Sequence, residues 1–383
     1  MTKLAGFEFT KYIKYNNSGE IIALRALNLR QGELDLTDIK RIDKSVSELL
    51  PRSKLYSGDI LLTYTGNGYG DCALISENDR YHLAPNICKI TPDIQKIDPY
   101  FLYSYIRSKA FYQQMSNHMV GSSQPTIPMR AIRELKVPFP SLEKQKKIKV
   151  ILSTLDGKIR INHAINDNLY EMVNAYYTSL FKDVECEMTT IGNYAERIYS
   201  GGTPTTSNAA YWDGAFGWFS SGETRNRFVI STEKTITQAG IDNSSTKLAA
   251  KHDIVMASAG QGFTRGQTSM LLIDTYVNQS VIVIHAERKV LPYLFWNLAN
   301  RYEELRAISD SSSIRGSLTT KMIAAFEIPL ANEESLQAFA DFSWSVIPKI
   351  ENNLLENERL AALRDNLLPK LMSGEIDVSN IQL

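Results

Sequence analysis

Two glycine-rich stretches carry the residue types that could hold an anion. The first, YTGNGYG at 64–70, alternates glycine with polar and aromatic residues, and SAGQGFTRG at 258–266 repeats the pattern. Glycine lacks a Cβ, so backbone N–H groups at such positions can approach a phosphate closely. A dinucleotide-binding fingerprint also needs a preceding strand, a following helix and an acidic residue about 20 positions later. The local signal for nucleotide binding is therefore weak, whereas its recurrence indicates a duplicated architecture.

The sequence lacks the residue arrangements that catalysis requires. The five histidines are scattered at positions 82, 118, 163, 252 and 285, and no G-x-S-x-G elbow accompanies them. There is no H-E-x-x-H, no EF-hand loop and no G-x-x-x-x-G-K-[ST]. IDPYF at 97–101 is the nearest approach to the Asn/Asp-Pro-Pro-aromatic motif of adenine methyltransferases, but it lacks the second proline. We therefore expect a chain that is not an enzyme and has no metal site or cofactor of its own.

Composition and charge restrict the class of protein. A chain of 383 residues should form two or more domains, and no apolar run reaches the roughly 18 residues of a membrane helix. The N-terminal sequence has no signal-peptide core, which predicts a cytoplasmic protein. Cys72, Cys88 and Cys186 show no paired spacing, which predicts buried free thiols. The net charge is zero, but residues 1–140 carry +4 and residues 332–383 carry −5, a distribution compatible with DNA binding.

The chain repeats itself at an offset that drifts from 194 to 191 residues. DIL at 59–61 matches DIV at 253–255, and IDPYFLYSYIRS at 97–108 matches VLPYLFWNLANR at 290–301. From GSSQPTIPMRAIRELKVPFP at 121–140 onward the offset stays at 191 without a gap. Loop insertions and deletions in a diverged tandem duplication produce this drift, so we predict two copies of one structural unit.

Each copy divides into a mixed front and a helical back. Short β-rich runs are followed by one helix that begins at a proline, PYFLYSYIRSKAFYQQM or PYLFWNLANRYEELRAI, and by a strand ending in proline, LKVPFP or FEIPLA. The back is one long helix, at about 143–181 and 334–372, and Pro348 and Pro369 should bend or break the second one. We predict an α+β fold with two globular domains, joined by two long antiparallel coiled-coil helices. The predicted segments are 1–140, 141–187, 188–331 and 332–383.

The long helices show the sharpest periodicity. Apolar residues recur at alternating steps of three and four, the a/d pattern of a coiled-coil seam. In the first helix the seam comprises Ile148, Leu152, Leu155, Ile159, Asn162, Asn166, Leu169, Val173, Tyr176 and Leu180; adding 191 gives the second seam, Phe339 to Leu371. Asparagines interrupt both at equivalent places. Either these are surface amides, or they fix the register of an antiparallel pair in which Asn162 faces Asn357 and Asn166 faces Asn353.

The polar loops of the two copies are the candidates for DNA contact. The glycine loops can be structural turns, or loops that reach into a DNA groove. The serine-rich loops GSSQPT at 121–126 and SSSIRGSLT at 311–319 offer hydroxyl and amide donors for phosphates, or are ordinary solvated loops. The candidate DNA-binding residues are Asn67, Tyr69, Ser122, Ser123, Gln124, Arg225, Arg227, Gln261, Arg265, Ser312 and Arg315.

Four stretches together resemble a known family, the specificity subunit of type I restriction–modification systems. They are ILSTLDGKIRINHAINDNLYEM, RIYSGGTPTTSNAAYWDGAFGWFSSGE, SSIRGSLTTKMIAAFEIPL and the tail RDNLLPKLMSGEI, and the resemblance covers nearly the whole chain. It implies two target recognition domains, each reading one half of a bipartite, asymmetric sequence in double-stranded DNA. The long helices would set the spacer and dock two methyltransferase subunits. S-adenosylmethionine would belong to those subunits, and ATP and Mg²⁺ to motor-nuclease subunits.

The resemblance leaves two alternatives and one departure. The chain could be the specificity subunit of another DNA-modifying defence system, or a coiled-coil scaffold with no DNA role. The second copy opens with TTIGNYAERIYSGGTPTTSNAAYWDG, whereas the first starts later, so its opening strand should be shortened or missing. Because the chain is nearly neutral, we expect weak DNA binding alone and tight binding only beside methyltransferase subunits.

Overall fold

The chain folds into two compact units. The computed structural model describes residues 1–30, 32–66, 68–121, 125–138, 140–182, 187–260, 264–311 and 316–381. We call residues 1–159 with 359–383 the first unit and residues 160–358 the second unit. Two long helices, Leu142–Phe181 and Glu333–Ser373, each contribute one part to each unit.

The first unit contains three small sheets with helices around them. Its strands are β1 Thr2–Lys3, β2 Ile21–Leu24, β3 Leu29–Arg30, β4 Glu33–Leu34, β5 Lys40–Ile42, β6 Ile60–Thr63, β7 Cys72–Leu74, β8 Tyr81–Leu83 and β9 Ile87–Ile90. The helices that begin in it are α1 Gly6–Tyr12, α2 Lys44–Leu49, α3 Pro99–Ile106, α4 Lys109–Ser116, α5 Met129–Glu134 and α6 Leu142–Phe181. Short 3₁₀ turns lie at Ala26–Asn28 and Pro51–Ser53. The sheets have the strand orders β1-β9-β6-β7, β5-β2-β8 and β3-β4.

The second unit repeats this plan with longer strands. Its strands are β10 Met188–Thr190, β11 Ala195–Ser200, β12 Trp212–Phe219, β13 Phe228–Val229, β14 Lys234–Ile236, β15 Lys247–Ala249, β16 Ile254–Ala257, β17 Thr268–Leu271, β18 Thr275–Val277, β19 Val281–Ala286 and β20 Glu327–Pro329. Its helices are α7 Ile191–Tyr194, α8 Gln238–Asp242, α9 Leu291–Asn300, α10 Tyr302–Ser311, α11 Thr320–Ala324 and α12 Glu333–Ser373, with 3₁₀ turns at Ala209–Tyr211 and Ser221–Arg225. The sheets are β11-β19-β16-β17-β13, β14-β12-β18-β15 and β10-β20.

The strand orders confirm the internal repeat. The order β1-β9-β6-β7 of the first unit recurs as β11-β19-β16-β17, and β5-β2-β8 recurs as β14-β12-β18. The registers agree as well, because Ile60 pairs with Leu74 where Ile254 pairs with Met270. The opening strand of the first copy, β1, has two residues where β11 has six, which agrees with the expected shortening.

A repeated aspartate explains why DIL and DIV begin equivalent strands. The Tyr56 N–H donates to Asp59 Oδ2 at 2.9 Å, and the Ala250 N–H donates to Asp253 Oδ2 at the same distance. Each aspartate N–H returns a bond to the carbonyl of the same partner residue, which closes a tight turn. The carboxylate therefore caps the turn that starts the central strand in both units.

Two expectations about the front of each copy are wrong. The single proline-initiated helix is two helices, because Ser108 caps a new helix by accepting from the Phe111 N–H, and because Arg301 leaves helical geometry between α9 and α10. The strand at the end of the front exists as β20 only in the second unit, whereas residues 135–138 form none. In the second unit β20 pairs with β10, the strand that precedes β11. The first unit begins with β1, which corresponds to β11, so residues 135–138 have no counterpart of β10 to pair with.

The long helices match the predicted back of each copy. Helix α12 runs unbroken through Pro348 and Pro369, so a break at either proline is wrong; the helix tolerates them because its seam is packed. Described seam residues are buried or half-buried throughout both helices. The two helices run antiparallel within each unit. In the first unit, residue 156 of α6 contacts residue 364 of α12, and residue 147 contacts residue 379 just after α12. In the second unit, residue 162 contacts residue 357 and residue 166 contacts residue 353.

The helix pair has chemically different surroundings in the two units. In the first unit, Asp156 on α6 accepts from Arg364 on α12 at 2.8 Å, from Arg107 at 3.2 Å and from the Tyr100 hydroxyl at 2.5 Å. The second unit has Ile347 and Val173 at the positions 191 residues away, and both lie in its apolar core. At these equivalent positions the helix pair is thus held by an ionic cluster in the first unit and by apolar packing in the second.

Candidate nucleic-acid interface

The glycine loop and the serine loop lie against each other in the first unit. The Gly66 N–H donates to the Pro125 carbonyl at 2.8 Å, and the Ile127 N–H donates to the Tyr64 carbonyl at 2.9 Å. Thr65 and Thr126 form an isolated antiparallel bridge. The candidate residues Asn67, Ser122, Ser123 and Gln124 lie outside the described residues. The loops that carry them are nevertheless joined by the backbone bonds around them.

The second unit joins the equivalent loops in the same way. The Leu318 N–H donates to the Ser258 carbonyl at 2.8 Å, which is the counterpart of the bond between Ile127 and Tyr64. Candidates Gln261, Ser312 and Arg315 lie outside the described residues. Sequence reasoning selected the two loops separately, and the fold brings them together twice, once in each unit.

A glycine in left-handed geometry ends each glycine loop. Gly70 has φ +93° and Gly266 has φ +86°, values that a side chain would strain. Their N–H groups donate to the carbonyls of Thr63 and Ala257, both at 2.9 Å. The glycines thus return the chain from the loop into β7 and β17. In these two positions the glycine is a structural requirement of the turn.

Tyr69 is committed to a neighbour on helix α4. Its ring stacks on Tyr112 with centroids 5.3 Å apart, and the Tyr112 hydroxyl donates to the Tyr69 hydroxyl at 2.6 Å. This hydrogen bond raises the pKa of Tyr112 to about 12, so the Tyr112 phenol stays neutral at physiological pH. Tyr112 is 44% exposed. Tyr112 was not predicted as the partner of Tyr69, because nothing in the sequence except its place on a helix indicates this contact.

Arg265 is buried and bonded to neighbouring parts of its own unit. The residue is 8% exposed, its Nη1 donates to the Gly316 carbonyl at 2.8 Å, and its Nη2 is paired with Asp310 at the end of α10. Gly316 lies within the serine loop and Asp310 directly precedes that loop. The guanidinium therefore ties the glycine loop to the serine loop and to the end of α10, and sequence reasoning missed Asp310 as its partner.

Arg225 and Arg227 make contacts away from these loops. Arg225 Nη1 donates to the Gly222 carbonyl at 2.6 Å, and its other terminal nitrogen pairs with Glu233. Arg227 lies over the Tyr170 ring at 4.3 Å and reaches Asp167 on α6 at 3.3 Å. Both side chains keep a third or more of their surface exposed. The described contacts link Arg227 to the long helix and Arg225 to its own turn.

The seam asparagines meet in facing pairs. Asn162 Nδ2 donates to Asn357 Oδ1 at 2.8 Å, and Asn353 Nδ2 donates to Asn166 Oδ1 at 2.8 Å. Asn162 Nδ2 also lies 2.8 Å from Glu356 Oε2. Asn162, Asn166 and Asn357 are less than a tenth exposed, so these amides do not point to solvent. These hydrogen bonds satisfy the Nδ2 groups of Asn162 and Asn353, which would be costly to bury alone.

The described cysteines and possible metal-ligating residues are the groups that could form a reactive thiol or a metal site. Cys72 and Cys88 are buried free thiols, as expected, and burial raises the pKa of each to about 12, which keeps them protonated and unreactive. Cys186 lies outside the described residues. Within those residues no three His, Cys, Asp or Glu side chains come together in a way that could hold a metal ion. No helix in the described part of the chain is both long enough and apolar enough to span a membrane.

Comparison with known proteins gives one consistent result. The family model "Type I restriction modification DNA specificity domain" matches twice, at residues 6–171 and 184–362. The chain is 20% identical to the type I restriction enzyme HindI specificity subunit of Haemophilus influenzae, over 97% of this chain and 96% of that one. It is 26% identical to the EcoR124I/EcoR124II specificity subunit of Escherichia coli over 54% of each. The crystal structure of a type I restriction–modification S subunit from M. genitalium shares the fold, with a TM-score of 0.52 at 16% identity over 96% of this chain and 91% of that one.

Proposed function

Because the chain belongs to the family of type I restriction–modification DNA specificity subunits, we propose that each of its two units reads one half of a bipartite, asymmetric DNA site. The observation that carries this proposal is the joined pair of glycine and serine loops in both units. Equivalent loop positions hold different side chains, such as Asn67 and Gln261, so two copies of one scaffold would read different bases. Base-edge contacts would specify the sequence, and phosphate contacts would supply salt-sensitive affinity.

The division of labour along the chain follows from the same proposal. Segments 1–140 and 188–331 would be the recognition domains, and 141–187 and 332–383 would set the spacer and dock two methyltransferase subunits. Motor-nuclease subunits would join the same cytoplasmic complex on its DNA. The chain itself would be non-catalytic: S-adenosylmethionine would be held by the methyltransferases, and ATP and Mg²⁺ by the motor-nuclease subunits. The matched family supports this reading over a scaffold without a DNA role.

The proposal predicts the outcome of a selection experiment. The full chain, co-expressed with its methyltransferase subunits, is expected to enrich two short fixed sequences separated by a constant spacer from a randomised duplex library. Asn67→Ala should relax one half of the selected site and Gln261→Ala the other, each by about 5- to 150-fold, because one good base contact contributes roughly 1–3 kcal/mol. Gln95→Ala, an exposed amide outside both loops, is the matched control. A selection without any bipartite motif would contradict the proposal.

The facing asparagines would fix the register of the helix pair, which we also propose. Asn162→Ala should lower the free energy of unfolding by about 1–2 kcal/mol, because it removes the buried hydrogen bond that Asn162 donates to Asn357 Oδ1. All four tryptophans lie in the second unit, so denaturant unfolding followed by tryptophan fluorescence measures this region. Asn352→Ala, on the exposed side of the same pair, should change the value by less than about 0.5 kcal/mol.

A second comparison separates register from stability. Asn162→Leu combined with Asn357→Leu removes both polar groups and should restore most of the stability, while weakening the preference for one register. Disulfide trapping can report the register. In the observed register, Asn162 faces Asn357 and Asn166 faces Asn353, so Leu169 of α6 lies level with Ile350 of α12. Trapping between Leu169→Cys and Ser343→Cys, one heptad out, should rise in the double leucine background. Unchanged trapping there would show that the asparagines do not set the register.

A further inference from the structure

The residue before the final glycine of each glycine loop occupies the same place in both units but has a different chemistry. Tyr69 precedes Gly70, and Arg265 precedes Gly266, and both glycines have left-handed φ and the same hydrogen bond back to the central strand. Tyr69 contacts Tyr112 on α4. Arg265 contacts Asp310 on α10, which is the helix equivalent to α4. Two unrelated pairs thus connect the same loop to the same helix.

We propose that Tyr69 with Tyr112, and Arg265 with Asp310, are positioning residues that clamp each glycine loop in its DNA-reading conformation. The proposal rests on the proposed function above. It differs from the initial expectation that Tyr69 and Arg265 touch DNA themselves. Their role is to act through the loop residues between them and the strand, at positions 65–68 and 259–264.

Burial and hydrogen bonding favour this role for Arg265. A phosphate-binding arginine needs the donors of its fork free to reach the phosphate, whereas Arg265 is 92% buried and both of its terminal nitrogens are used by protein acceptors. Its Nη1 bond to the Gly316 carbonyl holds the far side of the serine loop at the same time, and Ser309 Oγ donates to that carbonyl at 2.9 Å. Releasing Arg265 toward DNA would therefore open the junction of both loops.

The stacked tyrosines perform the same task with one hydrogen bond and two rings. A Cβ added to Gly70 would lie 3.0 Å from the Tyr112 ring, so the tyrosine also packs over the glycine turn. In the second unit Leu305, fully buried, stands at the position of Tyr112, and a Cβ added to Gly266 would lie 3.4 Å from its side chain. Because Leu305 cannot hydrogen-bond, the tie in that unit passes to Arg265 and Asp310, one turn further along the helix.

Amide exchange on the full chain tests the clamp without any partner. Arg265→Ala and Asp310→Ala should each speed exchange of the Gly266 and Leu318 amides by at least tenfold, leaving the Gly70 and Ile127 amides unchanged. Asp310→Glu, which keeps the charge, should restore most of the protection. Equal exchange in wild type and both alanine variants would overturn the proposal.

Selection from the randomised duplex library, with the methyltransferase-bound complex, tests the effect on reading. Arg265→Ala should weaken discrimination about tenfold across every position of one half-site, with the other half as internal control. If Arg265→Ala reduced discrimination at a single position only, Arg265 would be a base-contacting residue and the proposal would be overturned. If the wild-type complex enriched no bipartite site, the proposed function would be wrong. The amide-exchange experiment would still test whether Arg265 and Asp310 hold the loop.

Grafting one clamp onto the other unit gives the strictest test. Asn117 stands where the second unit has Asp310, at an offset of 193 residues. Tyr69→Ala should relax the half-site read by the first unit about tenfold, and Tyr69→Arg with Asn117→Asp should recover most of that loss. Recovery by Tyr69→Arg alone would mean that the arginine acts on DNA directly, and the clamp would be rejected.

Discussion

Replacing Asp156 with alanine is expected to destabilise the first unit by about 3 kcal/mol. The carboxylate is shared by Arg107, Arg364 and the Tyr100 hydroxyl, and the three charged side chains are only 14–18% exposed. Removing one member of a buried ionic group costs roughly 3–5 kcal/mol, because the remaining charges stay desolvated. We expect the lower end, since some water reaches this cluster. Hydrogen exchange of residues 1–159 and 359–381 in the full chain would measure the effect.

The neighbouring Asp365 provides the control for this prediction. It pairs with the same Arg364 at 2.8 Å but is 66% exposed, so Asp365→Ala should cost less than about 0.5 kcal/mol. Asp156→Ile with Arg364→Val copies the residues at the equivalent positions of the second unit. That variant should recover only part of the loss, because Arg107 and Tyr100 still lose their shared acceptor. Full recovery would show that the cluster contributes nothing beyond the Asp156–Arg364 pair.

Acid should remove the contribution of Asp156. Burial opposes its ionisation, but Arg107, the Tyr100 hydroxyl and Arg364 outweigh burial and hold the pKa of this carboxyl below its usual value. A depressed folded-state pKa stabilises the fold above the unfolded-state pKa, near 4, and the gain is lost as pH falls through the folded value. The stability difference between wild type and Asp156→Asn should therefore be largest near neutral pH and shrink below about pH 4.

The features that could be predicted from the sequence depend on local residue patterns or on patterns that occur in both copies. The repeat offset located equivalent strands, and the spacing of the seam located both helices and the facing asparagines, because these patterns depend on residues a few positions apart. The clamps were not predicted, since Tyr69 and Tyr112, or Arg265 and Asp310, meet only through tertiary packing. Arg364 could have shown the ionic cluster: a charged residue in an apolar seam requires a buried partner, and Asp156 lies level with it on the facing helix.

The glycine and serine loops show what could not be predicted from the sequence. Their composition identified polar segments of the right kind, but not which side chains are committed to the protein itself. Arg265 has the residue type of a phosphate contact and the burial of a structural arginine. The proline-initiated helix stops at Ser108, a residue type that helix N-caps favour, but a single serine within a helical pattern does not decide between a continuous helix and a new start.

Replacing Trp296 with alanine is expected to lower the stability of the second unit by about 3–5 kcal/mol, the usual cost of deleting a buried aromatic ring. Trp296 is fully buried on α9 and stacks on Tyr170 of the long helix α6, with centroids 5.6 Å apart and an interplanar angle of 23°. It also meets Phe295 at 4.8 Å and Phe339 of α12 at 5.8 Å. The ring therefore joins α9 to both long helices.

The conservative variant distinguishes packing from hydrogen bonding at this site. Trp296 Nε1 has no hydrogen-bond partner among the described residues, so Trp296→Phe loses ring volume but no bond, and should cost clearly less than the alanine variant. Hydrogen exchange should show the loss in residues 160–358 and leave the first unit unchanged. In the library selection, Trp296→Ala should erase one half-site while the other persists, because the surviving unit keeps its own core and its own loops. Equal loss of both halves would mean that the two readers fold as one.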